Sequence, residues 1–235
     1  IKDLDVLQFP IRDLLTDAFR RMGYATLISS RGCYGNCTFC PQNAFKRKNP
    51  GPRWRGRSPE NVVDEIENIN RDYNIGMFKF NDDDIFGPGE TGRERVVGIC
   101  EEIIRRRIKV NLMAYCRIND IEYEIMALMH KAGFERLLVG IESTMPTILH
   151  EYKKGISPIH IREKLTLLEE LGFSVIPGFM MFNPYSSLGQ LRTDLEFLRV
   201  TKSFGVSISK TLKIHDSTEF KDQLLACGRL KLIPF

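Results

Sequence analysis

A chain of 235 residues with 43% hydrophobic and 27% charged residues has enough apolar material for a sizeable core and reads as soluble and globular. No apolar run approaches the ~20 residues needed to span a bilayer, so no membrane role is expected. The net charge of +4, from 34 basic against 30 acidic residues, is too mild to imply a nucleic-acid partner by itself.

Residues 1–23 read as a linker segment ahead of the first strand. The chain begins at Ile1 and ends at Phe235 just after an apolar run, so it is expected to be part of a longer polypeptide. Short apolar runs at 24–29, 77–81, 109–114, 136–141, 174–182 and 206–212 predict six strands. Stretches of helical period separate them, the pattern of βαβ units and a parallel sheet. Ser58-Pro59-Glu60 predicts a capped helix start, with Val62, Ile66, Ile69 and Tyr73 on one face. A second helix is predicted over 93–107, with Val96, Val97, Cys100, Ile103 and Ile104 inward. Asp120 is expected to cap a third helix that Gly133 stops, and Ser157-Pro158 to open a fourth that Gly172 closes. Ser187 with Gln190 forms a capping box for a fifth, whose stripe is Leu188, Leu191, Leu195 and Leu198. Residues 24–220 are thus expected to form an α/β core, either a partial (β/α)6 TIM-like barrel or an open doubly wound sheet. Residues 221–235 would begin a further, incomplete segment.

Either architecture collects chemistry beyond the carboxyl ends of the strands. Polar residues follow every predicted strand: the cysteine loop, Asn81-Asp82-Asp83-Asp84, Tyr115-Cys116-Arg117, Glu142-Ser143, Asn183-Pro184-Tyr185 and His215-Asp216. The first of these, Arg31-Gly32-Cys33-Tyr34-Gly35-Asn36-Cys37-Thr38-Phe39-Cys40-Pro41, is the most specific. Its C-x3-C-x2-C spacing can wrap three thiolates around one small object without supplying a fourth. A structural zinc site closes with four ligands, commonly two paired knuckles, and no second knuckle exists: Cys100, Cys116 and Cys227 stand alone. Buried thiols placed by chance are the remaining alternative. A loop for an iron–sulfur cube that keeps one iron free of protein ligands fits the flanking Gly32, Gly35 and Pro41 best. Cysteine usage argues for a reducing cytoplasm.

The cysteine motif after a first strand resembles the radical SAM superfamily. The blocks Arg55-Gly56-Arg57-Ser58-Pro59-Glu60, Phe80-Asn81-Asp82-Asp83-Asp84-Ile85-Phe86, Cys116-Arg117-Ile118-Asn119-Asp120 and Val139-Gly140-Ile141-Glu142-Ser143 are similar to family blocks, in family order. The segment Leu4-Asp5-Val6-Leu7-Gln8-Phe9-Pro10 and the later Gly178-Phe179-Met180-Met181-Phe182-Asn183-Pro184-Tyr185 most resemble the cobalamin-binding class. Nothing in residues 1–235 supplies that class's cobalt-ligand histidine motif; cobalamin, where used, would be held by a domain outside this chain.

The resemblance implies the partial (β/α)6 barrel, a 4Fe-4S cluster on Cys33, Cys37 and Cys40, and S-adenosylmethionine (SAM) chelated at the open iron. It implies reductive SAM cleavage that starts methyl transfer, rearrangement, dehydration or decarboxylation on a small biosynthetic intermediate or natural product. A reductant such as flavodoxin or ferredoxin would supply the electron. By the same resemblance Phe39 approaches adenine, Asp82 and Asp83 face the methionyl amino group with Asp82 the closer, and Glu142 contacts SAM. Arg117 and Tyr185 would belong to the cofactor or substrate surroundings, and His215 is an acid/base candidate. Two alternatives stand beside this reading. An RNA-modifying enzyme of the same family would use the basic loop 46–57, with Trp54 as a stacking platform. A non-catalytic iron–sulfur partner would keep only the barrel.

Overall fold

The structure, a computed structural model, describes residues 1–49, 51–200 and 211–231. Five strands form one parallel sheet: β1 (Ala25–Leu27), β4 (Met77–Phe80), β5 (Asn111–Arg117), β6 (Phe134–Glu142) and β7 (Ser174–Phe179), in that spatial order. Between β1 and β4, the short strands β2 (Ser30–Gly32) and β3 (Trp54–Gly56) pair antiparallel as a separate ribbon. The helices are α1 (Leu15–Met22), α2 (Pro41–Lys48), α3 (Pro59–Tyr73), α4 (Gly89–Arg105), α5 (Tyr123–Lys131), α6 (Pro146–Glu151), α7 (Pro158–Glu170), α8 (Leu188–Val200) and α9 (Glu219–Ala226). None is long and apolar enough to cross a membrane.

Strand alternation sorts the sheet into two faces. Phe78 and Phe80 of β4, Leu112 and Ala114 of β5, and Leu137, Val139 and Ile141 of β6 join the helices in the main core. Lys79, Met113, Tyr115, Arg117, Leu138 and Gly140 occupy the intervening positions, and their pairings (Lys79 with Met113, Tyr115 with Leu138, Arg117 with Gly140) set them side by side. That second face leads to the carboxyl rim. A smaller apolar cluster of Ile148, Tyr152, Leu212, Phe220 and Leu224 packs below the cysteine loop and joins α6 to α9.

The sheet is the expected partial barrel type, and the structure differs from expectation in detail. The third strand runs on to Arg117, so Tyr115, Cys116 and Arg117 belong to it rather than follow it. The sixth strand, 206–212, lies outside the described residues except for Thr211 and Leu212; Thr211 bridges in parallel to Phe182. Asp120 caps no helix: it ends a 3-10 turn over Ile118–Asp120, and α5 starts after Glu122. In α8 the buried side is Asp194, Phe197 and Leu198, while Leu188 and Leu195 are exposed. The carboxylate of Asp194 explains the rotation, because it accepts from Thr144 N (3.0 Å), Thr144 Oγ1 (2.5 Å) and Ser143 Oγ (3.5 Å) inside the fold. Phe220 of α9 is buried in the smaller cluster.

Candidate active site

The β2–β3 ribbon carries the cysteines at its open end. Gly32 sits at φ +88°, and a Cβ there would lie 2.2 Å from the Arg53 carbonyl oxygen, so only glycine lets the ribbon close beside Cys33. Cys40 is the residue before α2, with Pro41 in the first helical position where its missing N–H costs nothing. Between them the loop is pinned at several points. Cys37 O accepts from Cys40 N (3.2 Å) and Asn43 Nδ2 (2.7 Å). Thr38 donates through N to Tyr152 O (3.3 Å) and through Oγ1 to Glu151 O (2.8 Å), and Lys46 Nζ reaches back to Cys33 O.

All three thiols are free. Cys33 Sγ accepts from Gly35 N at 3.3 Å, Cys37 Sγ accepts from Arg117 Nη1 at 3.2 Å, and Asp84 Oδ2 stands 3.9 Å from Cys33 Sγ. Burial, then the charge of Asp84, pushes the Cys33 thiol up to about 11, and burial also raises Cys40. Metal binding here would therefore release protons. Among the described residues no three His, Cys, Asp or Glu side chains converge as a single metal ion requires. Three thiols on one loop, with N–H groups aimed at two of the sulfurs, are a donor set that fits a larger iron–sulfur cluster with one open iron.

The acidic run after β4 divides into three different environments. Asp82 is committed to the fold: it accepts from Ser29 N (3.2 Å), Ser29 Oγ (3.0 Å) and Ser30 Oγ (2.5 Å). Asp83 is exposed and accepts from Gln42 Nε2. Asp84, two residues beyond Asp82, is the member that reaches Cys33. Burial, and next the neighbouring Asp120, hold its carboxyl well above the usual range.

Arg117, the last residue of β5, lies against the Tyr34 ring at 5.4 Å, and the Tyr34 hydroxyl donates to Asp120 Oδ1. Glu142 ends β6 at φ +73°, where the pairing with β7 shifts register. Its partner is Lys154 at 3.4 Å; Lys154 is almost fully buried and also donates to Gly140 O at 2.9 Å. Phe39 meets the Tyr152 ring edge-on at 4.8 Å and packs on the smaller apolar cluster. Tyr185 packs on the same cluster, against Phe220, with Arg229 over its ring at 4.8 Å. His215 is exposed, and Thr218 Oγ1 donates to its carbonyl. The fold thus gathers Cys33, Cys37, Cys40, Asp84, Arg117 and Tyr34, links Glu142 to them through Lys154, and leaves Asp83, Tyr185 and His215 apart.

The basic loop is less open than its composition suggests. Trp54 is wedged between the Arg95 guanidinium (5.5 Å) and Gly87, where an added Cβ would come within 2.7 Å of its ring. That corrects its reading as a free stacking platform. Arg53 donates to Asn36, Arg55 to Ile1 O, and Arg47 and Lys48 to Ser217.

Residues 27–198 match the radical SAM superfamily, well over half of the chain, and the chain belongs to that superfamily. Its members use a 4Fe-4S cluster and SAM. Over 92% of its length the chain is 29% identical to 4'-phospho-dehydrooxetanocin synthase of Priestia megaterium, covering 31% of that protein. Over 85% it is 26% identical to an uncharacterized methyltransferase of Pyrococcus horikoshii, covering 42% of it. It superposes on the cobalamin-dependent SAM radical enzyme OxsB, solved with aqua-cobalamin and SAM, with a TM-score of 0.72 at 26% identity, over 93% of this chain and 32% of OxsB. The chain therefore spans less than half the length of these relatives.

Proposed function

We propose that this chain is the catalytic core of a cobalamin-class radical SAM enzyme, with Cys33, Cys37 and Cys40 holding the cluster and a small biosynthetic intermediate as substrate. The observation that carries this reading is the three-thiol loop set at the carboxyl rim of a parallel sheet, with Gly35 and Arg117 donating to its sulfurs. Once bound, the cluster supplies the low-potential electron for reductive cleavage of the SAM carbon–sulfur bond. Asp84, buried beside Cys33, offers an acceptor for an N–H of the methionyl amino group. Lys154 holds Glu142 at the rim as a second acceptor for SAM. The sheet face carrying Lys79, Tyr115 and Arg117 would bind substrate and exclude water.

The named relatives include a methyltransferase and a synthase, and methyl transfer, rearrangement, dehydration and decarboxylation are the outcomes in view. The six cysteines, all free, accord with a reducing cytoplasm, and a small low-potential electron carrier is the expected partner. The full-length protein, reconstituted anaerobically with iron, sulfide and a reductant, should convert SAM to 5′-deoxyadenosine, or to S-adenosylhomocysteine where methyl transfer dominates. Neither product appearing with the cluster assembled would refute the proposal.

A further inference from the structure

Arg117 spends its charge in an unusual direction. Among the described residues it makes no ion pair, although Asp84 and Asp120 lie close enough to feel its field. Its Nη1 donates to Cys37 Sγ at 3.2 Å, its Nη2 lies 3.5 Å from Lys154 O, and its Nε is buried without a hydrogen-bond partner. The guanidinium lies over the Tyr34 ring at 5.4 Å, and the Tyr34 hydroxyl donates to Asp120. Gly35 completes the arrangement, since a Cβ there would sit 2.2 Å from Nη1 and 3.3 Å from Cys33 Sγ. Gly35 is not among the left-handed glycines, so the space it leaves, rather than its backbone angle, is what the site uses.

We infer that Arg117 is a positioning residue that raises the reduction potential of the cluster through its N–H to Cys37 Sγ, and that Gly35 is the gap through which it reaches. The inference rests on the proposal that the three cysteines hold the cluster. Reduction adds negative charge to the iron–sulfur unit and its thiolates. A fixed cation and an N–H donor at one sulfur stabilise that reduced form, and hydrogen bonds to sulfur are among the determinants of such potentials. Tyr34 and Asp120 act one step back, by fixing the plane of the guanidinium.

The test is a potentiometric titration of the full-length protein without SAM, read by electron spin resonance of the reduced cluster, with iron content measured for every sample. Arg117→Met should lower the ratio of reduced to oxidised cluster on the order of tenfold at a fixed poise, a shift of about 59 mV for a one-electron couple. Arg117→Lys, which keeps the charge but not the fork, should recover part of it. Gly35→Ala keeps the guanidinium but displaces it, and should shift the potential in the same direction; it decides the matter should Arg117→Met fail to retain iron. Midpoints equal to wild type at full iron content overturn the inference alone. So does an effect seen only when SAM is present, which would assign Arg117 to SAM instead. A wild-type protein that assembles no cluster overturns the cysteine reading and this inference with it.

Discussion

Glu65 and Asp84 are both buried carboxylates, 2% and 0% exposed, in two regions with opposite solutions to the same electrostatic problem. Glu65, on α3, is clasped by Arg12 and Arg57 at 2.5 Å each, and Arg57 also lies over the Phe9 ring. This clamp fastens the amino-terminal segment to the sheet edge. Asp84, at the rim, has no ion pair among the described residues; its carboxylate accepts from the backbone N of Phe86 and stands beside Cys33, and burial holds it toward its neutral form. A buried charge with its partners in place belongs to the scaffold; one left without them costs stability and is available to a ligand.

Breaking each region should therefore give opposite phenotypes. The largest effect is expected at the rim: Cys33→Ala, Cys37→Ala or Cys40→Ala should abolish iron retention after reconstitution, with the urea midpoint of the iron-free protein little changed. At the clamp, Glu65→Gln should leave two arginines facing each other unpaired and cost about 3–5 kcal/mol of unfolding free energy, read by urea denaturation. A mild loss there would show that the clamp does not hold the segment down.

Asp194 sharpens the contrast, being buried and satisfied by Thr144 and Ser143. Burial raises its folded carboxyl above the ordinary value. Its contribution is then fully present at low pH, below the unfolded value of about 3.9, and is lost as pH rises through the raised folded value. Asp194→Asn should remove that part of the slope, so its urea midpoint should gain on wild type as pH rises above the unfolded value of about 3.9. A gap that stays constant with pH would show that Asp194 is charged throughout. The smallest effect is expected at a helix cap: Ser58→Ala removes the acceptor for Asn61 N and should cost about 1 kcal/mol.

What the sequence made legible was local. Ser58 and Ser157 cap their helices as expected, and Ser187 and Gln190 exchange both capping-box hydrogen bonds. Gly133 and Gly172 adopt the left-handed angles that stop α5 and α7. The cysteine spacing could be read because all three thiols lie within one loop. What stayed hidden depends on contacts between distant segments. The place of Asp84 beside Cys33 could not be read because β4 ends at Phe80, and beyond it the alternation that assigns faces no longer applies. Lys154 follows Lys153 and reads as surface, yet it is buried against Gly140 O, more than a dozen residues away. The leucine stripe of α8 misled because one carboxylate, Asp194, turned the helix toward Thr144. The β2–β3 ribbon is too short to leave a periodic signal.

Arg95 carries a consequence for how the iron–sulfur unit is acquired. Buried under Trp54, it donates to the carbonyls of Ser29, Arg57 and Ile85, one from each backbone segment that frames the cysteine loop. Those three segments are joined by protein groups alone, so the ordering entropy of the frame should be met during folding and not deducted from cofactor affinity. Maturation then amounts to loading a rigid socket, and the empty protein should survive as a competent acceptor instead of awaiting metal in order to fold.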